Sequence, residues 1–240
     1  MKDNQEYIYV AAGLFNADTN IYNAYLTKTL ESLGYTCYLP QRDGFEVANF
    51  IKFLNQAKEE FDPKVASKVA HYVPYYLDIG YFMSRSIATV AVLDDPVDIG
   101  MVVEISYSKL CNIPVVGVRT DLRSPLGDVA DKIGINPFPV QQCDCYIKAS
   151  TPTGGYEEIM KETDAILAKV VGVLEKYIPR KKNNMKENEN PNIKNIIKGS
   201  EILFADIDDF HDEESMKEMA RRFVSNEKFF DSVAPEILSI

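Results

Sequence analysis

The fold of this chain is decided by the stretch from Ser86 to Asp121, "SIATVAVLDDPVDIGMVVEISYSKLCNIPVVGVRTD". It opens with "SIATVAVLD" and closes with "IPVVGVRTD", two apolar, β-branched runs typical of strands that are buried on both faces. Between them, "DIGMVVEISYSKLCN" is predicted to form a helix that turns Met101, Ile105 and Leu110 inward. A strand, a helix and a second strand in this order predict parallel strands joined by a crossover helix.

The same pattern precedes this stretch along the chain. "YIYVAAGLF", from Tyr7 to Phe15, is typical of a buried strand, and "YTCYLP", which ends at Pro40, of the next strand. The segment between them has apolar residues at helical spacing and stops at Gly34. The predicted fold is α/β: a doubly wound, flavodoxin- or Rossmann-like parallel sheet flanked by helices, with a C-terminal helical extension. Ligands of such sheets bind beyond the carboxyl ends of the strands, here in the loops after Phe15, Pro40 and Leu93.

We predict three parts along the chain. Residues 1–180 form the α/β domain, in which residues 46–86 are mostly helical with interruptions near Pro63 and Pro74. Residues 181–200 are rich in Lys, Asn and Glu and are predicted to be a polar linker. Residues 201–240 are predicted to be an acidic helical C-terminal extension.

Composition excludes several classes of protein. A chain of 240 residues with 46% hydrophobic residues can bury a sizeable core. A net charge of −10 argues against nucleic acid or an anionic membrane surface as the main partner and favours a small neutral or cationic ligand. No stretch approaches the roughly 20 apolar residues of a membrane span. Because "MKDNQEYIYV" lacks the layout of a secretory signal, a cytoplasmic protein is expected.

Motifs for metals and cofactors are missing from the sequence. Cys143 and Cys145 have no second ligand pair, and the stretch from Asp206 to Asp212 lacks the glycine and glutamate spacing of a calcium loop, so its acids are expected to favour a helix N-terminus. Neither G-x-G-x-x-G nor a P-loop follows a strand. Since the chain has only two histidines, a His-based triad is not favoured either. We therefore predict no metal, no cofactor and reduced cysteines.

Four carboxylates follow the strand "SIATVAVL" within eleven residues: Asp94, Asp95, Asp98 and Glu104. On one continuous helix, Asp98 and Glu104 would lie about 240° apart and face different sides. They converge only if Asp98 precedes the helix in a cap position and Gly100 turns the chain. Asp94 and Asp95 are expected to end the strand and position the loop.

Two interpretations of Asp98 and Glu104 remain open on these grounds. In the first, Asp98 is only a helix cap and Glu104 is solvated. In the second, Glu104 is a functional acid, because the helix around it is mostly apolar and Ser108 stands four residues later, where a Lys or Arg partner would be expected. A buried carboxylate without a partner is costly and usually has a task.

At these residues the sequence resembles the nucleoside 2-deoxyribosyltransferases. The likeness rests on "IYVAAGLF" in the first strand, on Asp78 before the "ATVAVL" strand, and on "DIGMVVEISYS", which is similar to the family signature D-x-G-x-x-x-E-[LIV]-G-[YC]-A. It covers residues 7–123. Ser106 and Ser108 depart from it, because the family commonly has Gly and Ala at these positions.

The resemblance implies a double displacement through carboxylates. Glu104 would attack C1′ of a 2-deoxyribose and form a covalent ester, which a second nucleobase then attacks. Asp78 and Asp98 would contact the nucleobase, and one of them would protonate it as it leaves. Tyr9 would hydrogen-bond to Glu104 and orient it. Crowding of these three acids in one pocket would raise the pKa of at least one of them.

The resemblance also implies which residues bind the substrate. Gln41 would read the edge of the nucleobase, and Gly13 and Phe15, which end the first apolar run, would line the site. Asn136 would be lent to the sugar in a neighbouring subunit's site. The expected partners are deoxynucleosides and nucleobases, and the expected assembly is a homo-oligomer with shared active sites.

Two other functions remain open. In a hydrolase on the same scaffold, water would resolve the Glu104 ester of a deoxynucleoside or of its 5′-monophosphate. Arg42, Arg119 and Arg123 are the candidate phosphate ligands for that reaction. In a non-catalytic nucleoside-sensing module, turnover would be lost and the C-terminal extension would carry the signal.

Overall fold

The computed structural model describes residues 7–45, 47–56, 60–123, 135–149 and 152–234. The chain divides into two compact units. The sheet unit consists of Gln5–Asp43 and Arg85–Asn184, and the helical unit of Met1–Asn4, Gly44–Ser84 and Met185–Ile240. The sequence predicted one domain up to residue 180, whereas residues 44–84 group with the C-terminal residues.

The strands and helices follow one another along the described residues in this order: β1 (Tyr7–Ala11), α1 (Ala17–Ser32), β2 (Thr36–Tyr38), α2 (Pro40–Asp43), α3 (Val47–Gln56), α4 (Pro63–Tyr75), a π-helix (Tyr76–Phe82), a 3-10 turn (Met83–Arg85), β3 (Ser86–Val92), α5 (Ile99–Leu110), β4 (Val115–Arg119), α6 (Pro137–Gln142), β5 (Cys145–Lys148), α7 (Tyr156–Tyr177), a second 3-10 turn (Ile178–Arg180), α8 (Pro191–Phe204), α9 (Glu213–Ser225) and α10 (Glu227–Val233).

The sheet unit contains a parallel sheet of five strands in the order β2-β1-β3-β4-β5. This order confirms the predicted doubly wound α/β fold, and the direction of winding reverses between β1 and β3. Ligands of such sheets bind where the winding reverses, beyond the carboxyl ends of these two strands. The end of β1 and the loop after β3 are therefore the places to look for a site.

One face of the sheet packs on α1 and α7. Alternate strand residues form a single buried cluster with these helices, because successive side chains of a strand point to opposite faces. The cluster contains Ile8, Val10, Ala88, Val90, Val92, Val116 and Val118 from the strands and Leu26, Leu30, Ile166, Leu167, Val170 and Leu174 from the helices. The alternation leaves Tyr9 and Thr89 on the opposite face, where α5 packs.

Three details of the sheet unit differ from the sequence prediction. The strand β1 ends at Ala11, so Phe15 lies in the loop that leads to α1. Leu110 is 64% exposed instead of buried, because it is the last residue of α5. The edge strand β5 was not predicted, since its four residues are only partly buried and lack a continuous apolar run.

The helical unit is built around close contacts between the π-helix and α8. A Cβ on Gly199 would overlap the ring of Tyr76, and one on Gly80 would lie 2.5 Å from the Cβ of Ser200. Glycine is therefore required at both positions for the helices to approach this closely. Aromatic side chains fill the rest of the core, with Phe223 and Phe230 stacked at 4.5 Å between ring centroids.

The helical unit shows where the prediction from sequence was too simple. The predicted interruption at Pro63 is the start of α4, which Asp62 caps, but Pro74 lies inside α4 and the chain continues as the π-helix. The helix α8 begins at Pro191, within the segment predicted to be a linker, and buries Ile193 and Ile196. The Lys- and Asn-rich composition of that segment concealed this amphipathic pattern.

Asp212 is the acid of the C-terminal extension that lies at a helix N-terminus as expected, whereas Asp206 follows the end of α8. Asp212 caps α9 by accepting hydrogen bonds from the backbone N–H groups of Glu214 and Ser215. Within the described ranges, none of the helices combines the length and the apolar character needed to cross a membrane.

Candidate active site

Tyr9 and Glu104 form the centre of the candidate site. Tyr9 lies in the middle of β1 and is fully buried, and its hydroxyl donates a hydrogen bond of 2.9 Å to Oε1 of Glu104 on α5. The Tyr9 ring also contacts the ring of Tyr38 on β2, with 5.2 Å between centroids. This is the hydrogen bond that the resemblance implied. It ties the half-buried Glu104 carboxylate to a strand that is buried along its whole length.

Asp98 is the N-cap of α5. Its Oδ1 accepts a hydrogen bond of 2.7 Å from the backbone N–H of Met101, which confirms the predicted cap position. Gly100 does not turn the chain, however, because it lies in the first turn of α5. Glycine at this position leaves room for the Asp98 cap, since a Cβ there would lie 3.1 Å from Oδ1 of Asp98.

The end of β1 adjoins this cap. A Cβ on Gly13 would lie 3.6 Å from the Cβ of Asp98, so the two backbones pass close to each other. Glu104 contacts the same segment through Tyr9. Both acids of α5 are thus next to β1, at the position where the winding of the sheet reverses.

Asp94 and Asp95 have structural partners and hold the ends of β3 and β4 together. Asp94 accepts three hydrogen bonds, from the backbone N–H and the hydroxyl of Thr120 and from the backbone N–H of Asp121. Asp95 forms an ion pair of 2.8 Å with Arg119. Their predicted role in positioning the loop is confirmed by these contacts.

Arg119 is a buried structural cation. Its side chain is 0% exposed and donates to the carbonyl groups of Leu93 and Arg123 as well as to Asp95. The sequence placed it among candidate phosphate ligands because a charged residue next to a strand end is usually exposed. Its burial and its carboxylate partner leave it unsuited to that role.

The other two candidate phosphate ligands also have carboxylate partners. Arg42 pairs with Glu31 and Asp43, and Arg123 pairs with Asp121. The Arg123 side chain holds the pKa of Asp121 at about 2, well below its usual value, mainly through a direct hydrogen bond. A phosphate would have to compete with these pairs for either guanidinium group.

Gln41 lies beside the end of β1 and is held by α1. Its Oε1 accepts a hydrogen bond of 3.1 Å from Nδ2 of Asn23, and its Nε2 donates one of 2.9 Å to the backbone carbonyl of Asn20. Nδ2 of Asn23 also donates to the carbonyl of Gly13 at 3.1 Å. The expected base-reading amide is therefore connected to the residue that adjoins Asp98.

The sequence did not reveal the importance of Asn23. The residue is fully buried on α1, and its Oδ1 has no hydrogen-bond partner among the described residues; the same is true of Oδ1 of Asn20 and the hydroxyl of Tyr22. Burial, followed by the charge of Asp94, raises the pKa of Tyr22. The sequence contains one sign of this role. Two polar residues, Asn23 and Thr27, lie four residues apart on the helix face that also carries Leu26 and Leu30.

The remaining predicted residues lie on other elements of the structure. Phe15 is 86% exposed in the loop between β1 and α1. Asn136 is an exposed N-cap of α6, and its side chain accepts from the backbone N–H of Phe138. Asp78 is half-buried in the π-helix of the helical unit. The roles implied for Asp78 and Asn136, and the homo-oligomer, stay predictions.

The serines that depart from the family signature are accommodated in α5. The hydroxyl of Ser108 is fully buried and lies 2.8 Å from the hydroxyl of Thr89 on β3, so the two groups satisfy each other. The hydroxyl of Ser106 donates to the carbonyl of Val102 one helical turn earlier.

Cysteine chemistry is not supported by the thiol environments. All four cysteines are free, and burial raises the pKa of Cys37 and Cys143 to about 12. Both thiols are therefore protonated near neutral pH and are poor nucleophiles. Among the residues that the structure describes, no group of three or more His, Cys, Asp or Glu side chains is arranged to hold a metal ion.

Comparisons with known proteins add little to this geometry. No family model matches the chain, and no curated protein matches it. A conserved protein from Enterococcus faecalis V583 is similar in structure, with a TM-score of 0.42, 23% identity, and coverage of 67% of this chain and 98% of that one. The sugar isomerase domain of an RpiR transcription factor from Sphaerobacter thermophilus has a TM-score of 0.38, 10% identity, and coverage of 74% and 76%. Both scores are too low for either likeness to carry an argument about function.

Proposed function

We propose that this protein transfers a 2-deoxyribosyl group between nucleobases, with Glu104 as the nucleophile. The observation that carries the proposal is the 2.9 Å hydrogen bond from buried Tyr9 to Glu104. Glu104 is held by a buried tyrosine near the point where the winding of the sheet reverses. Such a carboxylate is suited to stabilise an oxocarbenium-like sugar and then to trap it as an ester. The signature around Asp98 and Glu104 supports the choice of sugar and leaving group.

The proposed reaction has two displacements at C1′. In the first, an oxygen of Glu104 forms a bond to C1′ while the bond from C1′ to the nucleobase nitrogen breaks, and an acid protonates the leaving base. In the second, the nitrogen of an incoming base forms a bond to C1′ as the bond from C1′ to the Glu104 oxygen breaks, and the N–H proton of that base returns to the acid that protonated the leaving base. Two inversions give net retention of configuration.

Tyr9 and Asp98 have distinct proposed roles. The Tyr9 hydroxyl fixes the rotation of the Glu104 carboxylate, so that attack on C1′ does not require the side chain to reorganise. Asp98 is fixed at the start of α5 by its bond to Met101 and adjoins Gly13, and its second carboxylate oxygen is proposed to contact the nucleobase. Asp78 is proposed as a further base contact from the resemblance alone.

Transfer to water, giving a hydrolase, is the main competing outcome. A hydrolase acting on 5′-monophosphates has weak support, because the three arginines considered for the phosphate already have carboxylate partners. A hydrolase acting on plain deoxynucleosides would use the same residues as the transferase.

Incubation with deoxyadenosine, with and without cytosine, separates these outcomes. New deoxycytidine that forms only when cytosine is present supports transfer. Free deoxyribose in both samples, without deoxycytidine, indicates a hydrolase instead. Binding of deoxyadenosine by both the wild type and Glu104→Ala, with no base released by either, would contradict both enzymatic functions and favour a sensing module.

A further inference from the structure

The Asn23 side chain uses both of its N–H groups to hold the site together. One donates to the carbonyl of Gly13 at the end of β1, and the other to Oε1 of Gln41 on α2. Asn23 is 0% exposed, so water does not compete for these bonds. A buried amide with two such bonds is a rigid support for its neighbours.

The orientation of the Asn23 amide is fixed by chemistry. The Gly13 carbonyl can only accept a hydrogen bond, so the nitrogen of Asn23 must face it. If the amide were rotated by a half-turn, Oδ1 of Asn23 would face two acceptors, the Gly13 carbonyl and Oε1 of Gln41. The cost of the observed orientation is that Oδ1 of Asn23 is left without a partner among the described residues.

The orientation of Gln41 is fixed by two partners on α1. Because Asn23 offers a donor, the oxygen of the Gln41 amide faces it, and the nitrogen faces the backbone carbonyl of Asn20. These two bonds leave Gln41 with one N–H and one oxygen lone pair for a ligand. The positions of this remaining donor and acceptor are set by the bonds to α1.

We infer that Asn23 is a positioning residue that fixes the Gln41 amide and thereby makes the protein discriminate between amino- and oxo-substituted nucleobases. The inference rests on the proposed function, because it requires Gln41 to contact the base. Adenine and cytosine present an amino donor beside a ring-nitrogen acceptor, whereas hypoxanthine and uracil present an oxo acceptor beside a ring N–H donor. A fixed amide matches one of these patterns, but an amide free to rotate by a half-turn matches both.

The test compares substrates that differ only in this pattern. The kcat/KM for base release is measured, with the same acceptor base present in every assay, for deoxyadenosine against deoxyinosine and for deoxycytidine against deoxyuridine. In the wild type we expect the amino and oxo members of at least one pair to differ about 10-fold or more, because the wrong member leaves buried polar groups unpaired.

Three variants separate positioning from a purely structural role. Asn23→Ala removes the donor that faces the Gln41 oxygen and leaves only the bond to the Asn20 carbonyl, so the wild-type ratio is expected to fall about 3-fold or more towards unity. Asn23→Leu removes both donors but keeps a side chain of similar shape, and it is expected to lower the ratio by a similar factor. Thr27→Val is the matched control, because Thr27 is buried on the same face of α1 and its hydroxyl has no partner among the described residues. It should keep the wild-type ratio.

The outcomes are distinct from those that test the proposed function. No release of base from any of the four substrates by the wild type contradicts the proposed function itself. Release with a wild-type ratio near one in both pairs, or an equal loss on both members of a pair in Asn23→Ala and Asn23→Leu, overturns only the inference about Asn23. If Asn23→Ala does not yield folded protein, the ratio in Asn23→Leu, which fills the same space, decides.

Discussion

Four acids lie within one stretch of eleven residues, but they have different partners in the structure. Asp94 and Asp95 form the first pair, and Asp98 and Glu104 form the second. The first pair is bonded to the end of β4 and the residues that follow it. Asp94 accepts three hydrogen bonds from Thr120 and Asp121, and Asp95 pairs with the buried Arg119. The second two face β1, where Asp98 caps α5 and Glu104 is held by a tyrosine hydroxyl.

The difference shows that the bonding partners of a carboxylate decide whether it stabilises the fold or remains available for chemistry. A cation or a set of backbone N–H groups neutralises an acid and makes it part of the scaffold. The neutral Tyr9 hydroxyl orients Glu104 without neutralising its charge, so the carboxylate retains its capacity to attack. We therefore expect changes in the first pair to lower stability, and changes in the second pair to lower activity.

The largest expected effect is on catalysis by Glu104→Gln. The variant keeps an oxygen for the Tyr9 hydroxyl but cannot form the ester, so kcat for base release should fall on the order of 10³-fold or more. The free energy of unfolding, measured by urea denaturation, should change by less than about 1 kcal/mol. The exposed Glu158→Gln on α7 is the control, with unchanged kcat. A kcat within about 10-fold of the wild type in Glu104→Gln would exclude Glu104 as the nucleophile.

Arg119→Met should lower the stability of the protein, in contrast to Glu104→Gln, which should lower its activity. Removing one partner of the buried ion pair leaves Asp95 uncompensated, and the free energy of unfolding should fall by about 3–5 kcal/mol. Urea denaturation measures this, with the exposed Arg180→Met as the control. A loss of unfolding free energy as small as that of the control would show that the Asp95–Arg119 ion pair does not stabilise the sheet unit.

Tyr9→Phe should lower kcat while the ring contacts remain. Loss of the hydroxyl removes the bond that orients Glu104, and kcat should fall about 10- to 100-fold. The comparison variant is Tyr35→Phe, a partly buried tyrosine that packs against the core. An equal effect of both variants would indicate general damage to the fold and not a role for Tyr9 in orientation.

The smallest expected effect is on the pH dependence of stability in Asp121→Asn. The pKa of Asp121 is lowered to about 2 in the folded protein, so its stabilising contribution is present above the unfolded pKa and is lost as the pH falls towards 2. Since Arg123 is largely exposed, this contribution is about 1 kcal/mol after solvent screening. Urea denaturation between pH 5 and 2.5 should show a shallower decline for Asp121→Asn than for the wild type. Parallel curves would contradict the lowered pKa.

The fold could be predicted from sequence wherever burial left a continuous pattern. β1, β3 and β4 each contain a long apolar run, and the pattern around Asp98 predicted both the helix α5 and its cap. The strand β5 and the helix α8 were missed, because one is a half-exposed edge and the other lies in a segment of polar composition.

The candidate site could be predicted only in part, for a related physical reason. A pattern reveals which residue types are present but not which polar groups will meet across the fold. Arg119 is a charged residue that the fold buries completely, and Asn23 is a polar residue that links β1 to α2. Both roles depend on contacts between segments that are distant in sequence, and such contacts leave no local signal.

The most direct measurement of the central claim is to trap the covalent intermediate. The protein is mixed with a deoxynucleoside, quenched rapidly in acid, digested and analysed by mass spectrometry. We predict that the peptide containing Glu104 gains the mass of one deoxyribosyl group, and that the Glu104→Gln peptide does not. Rapid release of base by the wild type together with modification of another acid, such as Asp98, would contradict the assignment of Glu104 as the nucleophile.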